Sequence, residues 1–252
     1  MTAETIIQSL ASGLLMGLLY GLIAVGLSLI FGLMNIVNFA HGEFLMLAMY
    51  GAFFLFAFFA IDPLLSMPLV AAGMFVFGAA IYLLIVRFAM RAKTNVGMVQ
   101  IFATFGLAIV LRGLAQYFFT PDYRSISHSW LGGKTISIGG IFLPVPQLVG
   151  AGLAIVAFGA LYFFIKRTDF GRALEATRED AGAVALVGID QNRVFALGGF
   201  GSVFGAFAGG ILVGLVEAST ALIMPPSLKA VGIYAVYLLV VFIRPRGLFG
   251  SI

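Results

Sequence analysis

The feature that most constrains this chain is a long uncharged run near its beginning. No Asp, Glu, Lys, Arg or His occurs between Glu4 and His41. As a single helix these residues would be roughly 54 Å long, whereas the hydrocarbon core of a bilayer is about 30 Å thick. We therefore expect a break, and the polar residues between Gly32 and Glu43 mark its place. Because polar groups are costly in lipid, a break inside a membrane segment indicates function.

Two interpretations of this break remain open, and both concern the polar residues Asn35, Asn38, His41 and Glu43. In the first, the helix ends at the cytoplasmic interface, an Asn caps free backbone groups, and His41 and Glu43 are in water. In the second, the break lines a permeation path, and its polar groups contact a zwitterion. Thr104, in a later apolar run, is a further candidate for this path.

Composition places the chain in the membrane. Of its 252 residues 62% are hydrophobic and 10% are charged, whereas average soluble domains carry about 25% charged residues. The absence of cysteine excludes disulfides and thiolate sites. The basic residues form short clusters between apolar runs, which is typical of topology determinants and does not indicate a nucleic-acid partner. The segment MTAETIIQ lacks a basic region, so we expect it to lead directly into the first span and not to be a signal peptide.

The apolar runs predict an all-α polytopic membrane protein whose residues 1–252 form a single transmembrane domain. About seven spans are expected, separated by charged or Pro/Gly-rich breaks: 8–31, 43–60, 68–87, 97–118, 145–165, 194–216 and 228–243. Most Lys and Arg residues fall in connections on one side of these spans, and the positive-inside rule makes that side cytoplasmic. The N-terminus is then outside and the C-terminus cytoplasmic. Arg112, within the fourth span, is expected to be satisfied inside the bundle or to reach an interface.

Small residues at a spacing of four predict close helix contacts. They occur in the first span and in the sixth: Gly13, Gly17 and Gly21, and Gly201, Gly205 and Gly209. A general abundance of small residues in membrane helices is the alternative explanation.

Two of the connections between spans are predicted to contain secondary structure. In the extracytoplasmic connection, 120–144, the alternation from Thr135 to Ile138 indicates a short hairpin or an interfacial loop. The cytoplasmic connection, Lys166 to Arg193, is rich in helix-forming residues. Asp169 and Asp180 could each cap a short helix, and the second helix would end at Gly188. Its mixture of Arg with Asp and Glu favours docking on a protein partner over a lipid surface or a solvated loop.

Three motifs together resemble the permease subunits of branched-chain amino acid ABC importers, of the H-type. They cover nearly the whole chain: GLLYGLIAVGLSLIFGLMNIVNFAHGEFLML at 17–47, FGRALEATREDAGAVALVGID at 170–190 and FIRPRGLFG at 242–250. Relatives with this pattern import urea, short amides and other amino acids. One departure concerns the region near Gly198, where the family's out-and-back pair of helices is missing from this sequence.

The resemblance implies a subunit of a larger importer in a bacterial or archaeal cytoplasmic membrane. Its expected partners are a second homologous permease subunit, two cytoplasmic ATPases, an extracytoplasmic substrate-binding protein and membrane lipid. ATP and magnesium would be bound by the ATPases, and this chain would hold no cofactor and no metal. Segment 170–190 corresponds to the family's coupling loop, and its expected ATPase contacts are Gly171, Arg172, Leu174, Glu175, Asp180 and Gly188.

The resulting hypothesis is a non-enzymatic transport subunit for branched-chain or other small amino acids. A related importer of urea or short amides is one alternative. A self-sufficient channel or a secondary transporter in which His41 and Glu43 relay protons is an alternative of a different class. A non-transporting scaffold is the third, and it leaves the cytoplasmic connection unexplained.

Overall fold

A computed structural model describes residues 2–34, 38–92, 95–120, 122–126, 128–169 and 203–243. The predicted path residue Asn35, the coupling segment 170–190, the start of the predicted sixth span and Gly201 lie outside these ranges. The described part of the chain is mainly helical, as predicted.

Seven main helices and one hairpin make up the described structure. Their bounds are α1 Ala3–Met34, α2 His41–Phe59, α3 Pro63–Ile81, α4 Val96–Phe119, β1 Thr135–Ile138, β2 Ile141–Pro144, α5 Val145–Arg167, α6 Val203–Ile223 and α7 Lys229–Ile243. α3 continues through a π-helical turn, Tyr82–Val86, and a final helical turn, Arg87–Ala89. Within the described ranges six helices are long and apolar enough to cross a membrane. The predicted seventh span is the 15-residue α7, which is about 22 Å long and shorter than the hydrocarbon core.

These elements form two compact units. The first contains α1, the hairpin, α5, α6 and α7, and the second contains α2, α3 and α4.

In the first unit, α1 packs closely on α6. A Cβ added at Gly17 would lie 2.8 Å from the carbonyl oxygen of Ile211, and one added at Gly21 would lie 2.8 Å from that of Phe207. Side chains larger than hydrogen would therefore separate the two helix axes. The facing glycines on α6 are Gly210 and Gly214, whereas no atom lies within 4 Å of a Cβ added at Gly209. The contact ridge of α6 is thus displaced by one residue from the spacing 201, 205, 209.

The predicted hairpin is present in the same unit. β1 and β2 pair antiparallel, with Ile138 opposite Ile141. Gly139 and Gly140 form the two-residue turn with φ of +58° and +85°, as the right-handed strand twist requires. The side chain of Gln8 holds the hairpin to α1: its Nε2 donates to the carbonyl of Phe142, and its Oε1 accepts from the Phe142 N–H, both at 2.7 Å.

The core of the second unit lies between α4 and the start of α2. Its buried side chains are Ala40, Leu107, Ala108 and Leu111, and Phe44, Phe77 and Ile85 pack around them. Ile85 belongs to the π-helical turn, so this irregularity of α3 lies beside the beginning of α2. Turns of this kind occur often at functional sites.

Candidate translocation site

The start of α2 is organised by a local side-chain cap. The Oδ1 of Asn38 accepts a hydrogen bond from the N–H of Ala40 at 3.0 Å, and the N–H of His41 donates to the Asn38 carbonyl at 3.3 Å. Such an Asx turn satisfies backbone groups that the first helical turn leaves free. Asn38 therefore satisfies a backbone group just before α2, although the N-cap residue of this helix is Ala40 and has no side-chain cap hydrogen bond.

The start of α2 lies beside interior positions of its two neighbours. Phe44 contacts Phe77 of α3, with ring centroids 5.6 Å apart, and Phe77 is about 21 Å from Pro63 and about 18 Å from Ala89 at 1.5 Å per residue. The N–H of Phe39 donates to Oγ1 of Thr104 at 3.3 Å, and Thr104 is about 12 Å from the start of α4 and about 22 Å from its end. Sequence reasoning placed this break at the end of the first span, and these contacts place it beside the interiors of α3 and α4.

A charged pair lies about two helical turns further along α4. Arg112 donates from Nε and Nη2 to Oε1 of Glu43, at 3.1 and 2.5 Å. Glu43 is only 6% exposed, so the interpretation in which it is in water is wrong. Of the two alternatives predicted for Arg112, a partner within the bundle or a reach to an interface, the first is present as the bond to Glu43. A lone charge at the centre of a membrane helix costs about 2.5–3.5 kcal/mol, and the opposite charge compensates part of this cost.

The two partners differ in their surroundings. The side chain of Glu43 is 8% exposed, whereas that of Arg112 is 65% exposed. The Glu43 side chain is therefore enclosed by the unit, while much of the Arg112 side chain lies on the unit's surface.

Thr104 is buried, and its hydroxyl both donates and accepts hydrogen bonds. Its Oγ1 donates to the carbonyl of Gln100 at 2.9 Å and accepts from the N–H of Phe39. The hydroxyl thereby links α4 to the segment that precedes α2. Thr104, a candidate for the path, therefore lies beside the break.

Sequence reasoning missed the pattern to which Thr104 belongs. Apart from Tyr117, the hydrogen-bonding side chains of α4 are Gln100, Thr104, Arg112 and Gln116. They are separated by four or eight residues, so with Ala108 they form one continuous ridge along the helix. We call this set the α4 polar ridge. The spacing of four is visible in the sequence. The pairing of Arg112 with Glu43 is not.

A buried carboxylate at the other end of α2 and α3 was also missed. Asp62 is 4% exposed; its Oδ1 accepts from the N–H of Leu64 at 3.0 Å, and its Oδ2 accepts from the N–H of Trp130 at 2.8 Å. Its position before Pro63 is a helix-start signal. These bonds assign Asp62 a structural role as cap and loop anchor.

A second ion pair lies in the first unit. Lys229 Nζ is 2.6 Å from Oε1 of Glu217. This pair links α7 to α6. Among the described residues, no group of three His, Asp or Glu side chains is arranged to hold a metal ion.

The comparisons with known proteins identify the family. Residues 9–197 match the model of the family described as branched-chain amino acid transport system / permease component. The chain is 28% identical to the high-affinity branched-chain amino acid transport system permease protein BraD of Pseudomonas aeruginosa, with 97% of this chain and 95% of BraD covered. It is 26% identical to the corresponding LivH protein of Escherichia coli K12, with the same coverage. A probable LivH of Methanocaldococcus jannaschii is 29% identical over 76% of this chain and 61% of its own length. No solved structure matches.

The alignments also bear on the length of the chain. The alignment with BraD extends over 295 positions, and this chain has 252 residues, so at least 43 of those positions have no residue in this chain. This is about the number of residues in two membrane spans; the absence of a helical pair near Gly198 stays a prediction. Because the family model covers most of the chain, this protein belongs to the branched-chain amino acid transport system permease family.

Proposed function

We propose that this chain is the transmembrane permease subunit of an ATP-binding-cassette importer for branched-chain or other small amino acids. The observation that carries the proposal is the family match over residues 9–197, which includes the break and the spans around it. The relatives BraD and LivH are named as permeases for branched-chain amino acids.

The translocation path, in this proposal, includes Asn35, Asn38, His41, Glu43 and Thr104. The position of residues 38–43 beside the interiors of α3 and α4 supports it. In transporters, irregular backbone at membrane depth is tolerated where it is buried or lines a cavity, and half-helix ends often contact solutes there.

Energy would come from partner proteins. Two cytoplasmic ATPases would bind ATP and magnesium, a second homologous permease subunit would complete the path, and an extracytoplasmic binding protein would deliver the solute. Segment 170–190 would contact the ATPases through Gly171, Arg172, Leu174, Glu175, Asp180 and Gly188. The distribution of Lys and Arg supports a cytoplasmic position for this segment, with the N-terminus outside.

The proposal is tested by reconstituting the chain with the products of its neighbouring genes in proteoliposomes. We expect uptake of labelled leucine that depends on the binding protein and on ATP hydrolysis. Uptake of urea or short amides alone would favour the related importers. Uptake driven by a proton gradient, with no ATPase partner, would refute the proposal.

A substitution at Asn38 tests the path. Asn38→Ala removes the Oδ1 acceptor of the Ala40 N–H, and loss of such a cap costs about 1 kcal/mol. We expect reduced uptake in the assembled complex. Asn38→Ser is the control, since its hydroxyl can accept the same hydrogen bond. Unchanged uptake and unchanged thermal stability in Asn38→Ala would remove Asn38 from the path.

A further inference from the structure

The α4 polar ridge meets the segment around the start of α2 at two polar contacts in the second unit. The N–H of Phe39 bonds Thr104, and Glu43 pairs with Arg112 eight residues further along α4. Between them, Ala40 and Ala108 belong to one buried cluster. The charged contact therefore lies about two helical turns beyond the contact at Thr104.

The Arg112 side chain is exposed, so it can contact a further group while it is paired with Glu43. Two of its N–H groups bond the same oxygen of Glu43, which leaves the other guanidinium donors available. The side chain is about two-thirds exposed on the unit, and an arginine at membrane depth does not face hydrocarbon. Its open side must meet water, a solute or another protein.

We propose that Arg112 binds the carboxylate of an amino-acid solute during its passage, with Glu43 as the residue that positions the guanidinium. The solute's carboxylate would bind the open side of Arg112, while the enclosed carboxylate of Glu43 holds Nε and Nη2 from the other side. A guanidinium recognises a carboxylate through paired N–H donors. This inference rests on the proposed function and adds the residue that would bind the solute's carboxylate. It also predicts a preference for amino acids over neutral urea.

The test measures binding to the complete complex in nanodiscs, without nucleotide and without binding protein. The probes are radiolabelled L-leucine, L-leucinamide, which lacks the carboxylate, and N-acetyl-L-leucine, which lacks the ammonium group. For the wild type we expect leucine to bind about tenfold more tightly than leucinamide, as one lost charge-assisted contact implies. Arg112→Gln should remove this preference, and it should weaken N-acetyl-leucine, which keeps the carboxylate, by the same factor as leucine. Glu43→Gln should reduce the preference over leucinamide, because the guanidinium loses the charge that positions it.

Two controls separate recognition from folding. Arg112→Lys keeps the positive charge and should retain most of the preference over leucinamide. This variant tests recognition if Arg112→Gln assembles poorly. Lys229→Gln removes the other ion pair, that with Glu217, and should leave every binding ratio unchanged. A merely structural role for Arg112 would lower binding of all three probes by the same factor.

The outcomes distinguish this inference from the proposed function. If Arg112 instead contacts a carboxylate of the second permease subunit, the wild-type complex will bind leucine and leucinamide equally, and the inference is overturned. ATP-dependent leucine uptake by the same preparation would leave the proposed function standing. Absence of that uptake would remove the proposed function itself.

Discussion

Two adjacent glycines of α6 provide an internal comparison of helix packing. A Cβ added at Gly210 would lie 2.7 Å from the carbonyl carbon of Tyr20 and would overlap the backbone nitrogen and Cα of Gly21. No atom lies within 4 Å of a Cβ added at Gly209. Gly210→Ala and Gly209→Ala therefore add the same methyl group to the same helix, but only the first meets α1.

The magnitude follows from the geometry. Carbon atoms in contact are normally about 3.5–4.0 Å apart, so α1 and α6 must separate by roughly 1 Å to admit the methyl group at Gly210. Overpacking of this kind costs about 1–3 kcal/mol. At Gly209 the higher helix propensity of Ala would stabilise the protein by up to about 1 kcal/mol.

The assay is thermal unfolding of the two purified variants in the same detergent, at the same scan rate. We expect the apparent Tm of Gly210→Ala to fall by about 2–12 °C and that of Gly209→Ala to stay at or slightly above the wild-type value. Equal transitions for the two variants would show that α1 and α6 do not approach as closely as the structure has them, and would refute the reasoning.

Three further predictions concern other parts of the chain. Asp62→Ala should destabilise the second unit by about 1–3 kcal/mol, since the N–H groups of Leu64 and Trp130 lose a buried acceptor. Urea or thermal unfolding measures this loss of stability. Asp62→Asn keeps one acceptor and should lose less stability. Glu175→Lys should uncouple ATP hydrolysis from uptake or dissociate the ATPases, and normal coupling would contradict the proposed docking of segment 170–190. Reporter fusions should place the C-terminus in the cytoplasm and the N-terminus outside, and the opposite result would reverse the proposed orientation.

The sequence predicted the elements of the fold well, because each depends on local chemistry. Hydropathy located the spans, since an uncharged run of sufficient length favours the bilayer wherever it occurs. The alternation from Thr135 to Ile138, followed by two glycines, was enough to predict a hairpin. The glycine spacing on α1 predicted a close contact, but it could not identify Gly210 as the facing residue because helix register depends on the partner.

The candidate site was predicted only in part. Asn38, Glu43 and Thr104 were chosen because polar groups are unusual in such apolar surroundings, and the structure brings all three to the region where α2 begins. Arg112 was separated from Glu43 by 69 positions, so nothing in the local pattern paired them. Asp62 was overlooked because an Asp before a Pro looks like an ordinary helix start.

The sequence by itself determined that this is a helical membrane protein of the permease family, because hydrophobicity and local motifs are properties of short segments. Only the tertiary structure decided where the break lies along the neighbouring helices. Hydropathy gives the length of each helix but not its displacement along its neighbours. That displacement is set by side-chain packing between Phe44 and Phe77 and by the bond from Phe39 to Thr104. The same packing brought two charges that are distant in sequence, Glu43 and Arg112, into one pair between α2 and α4.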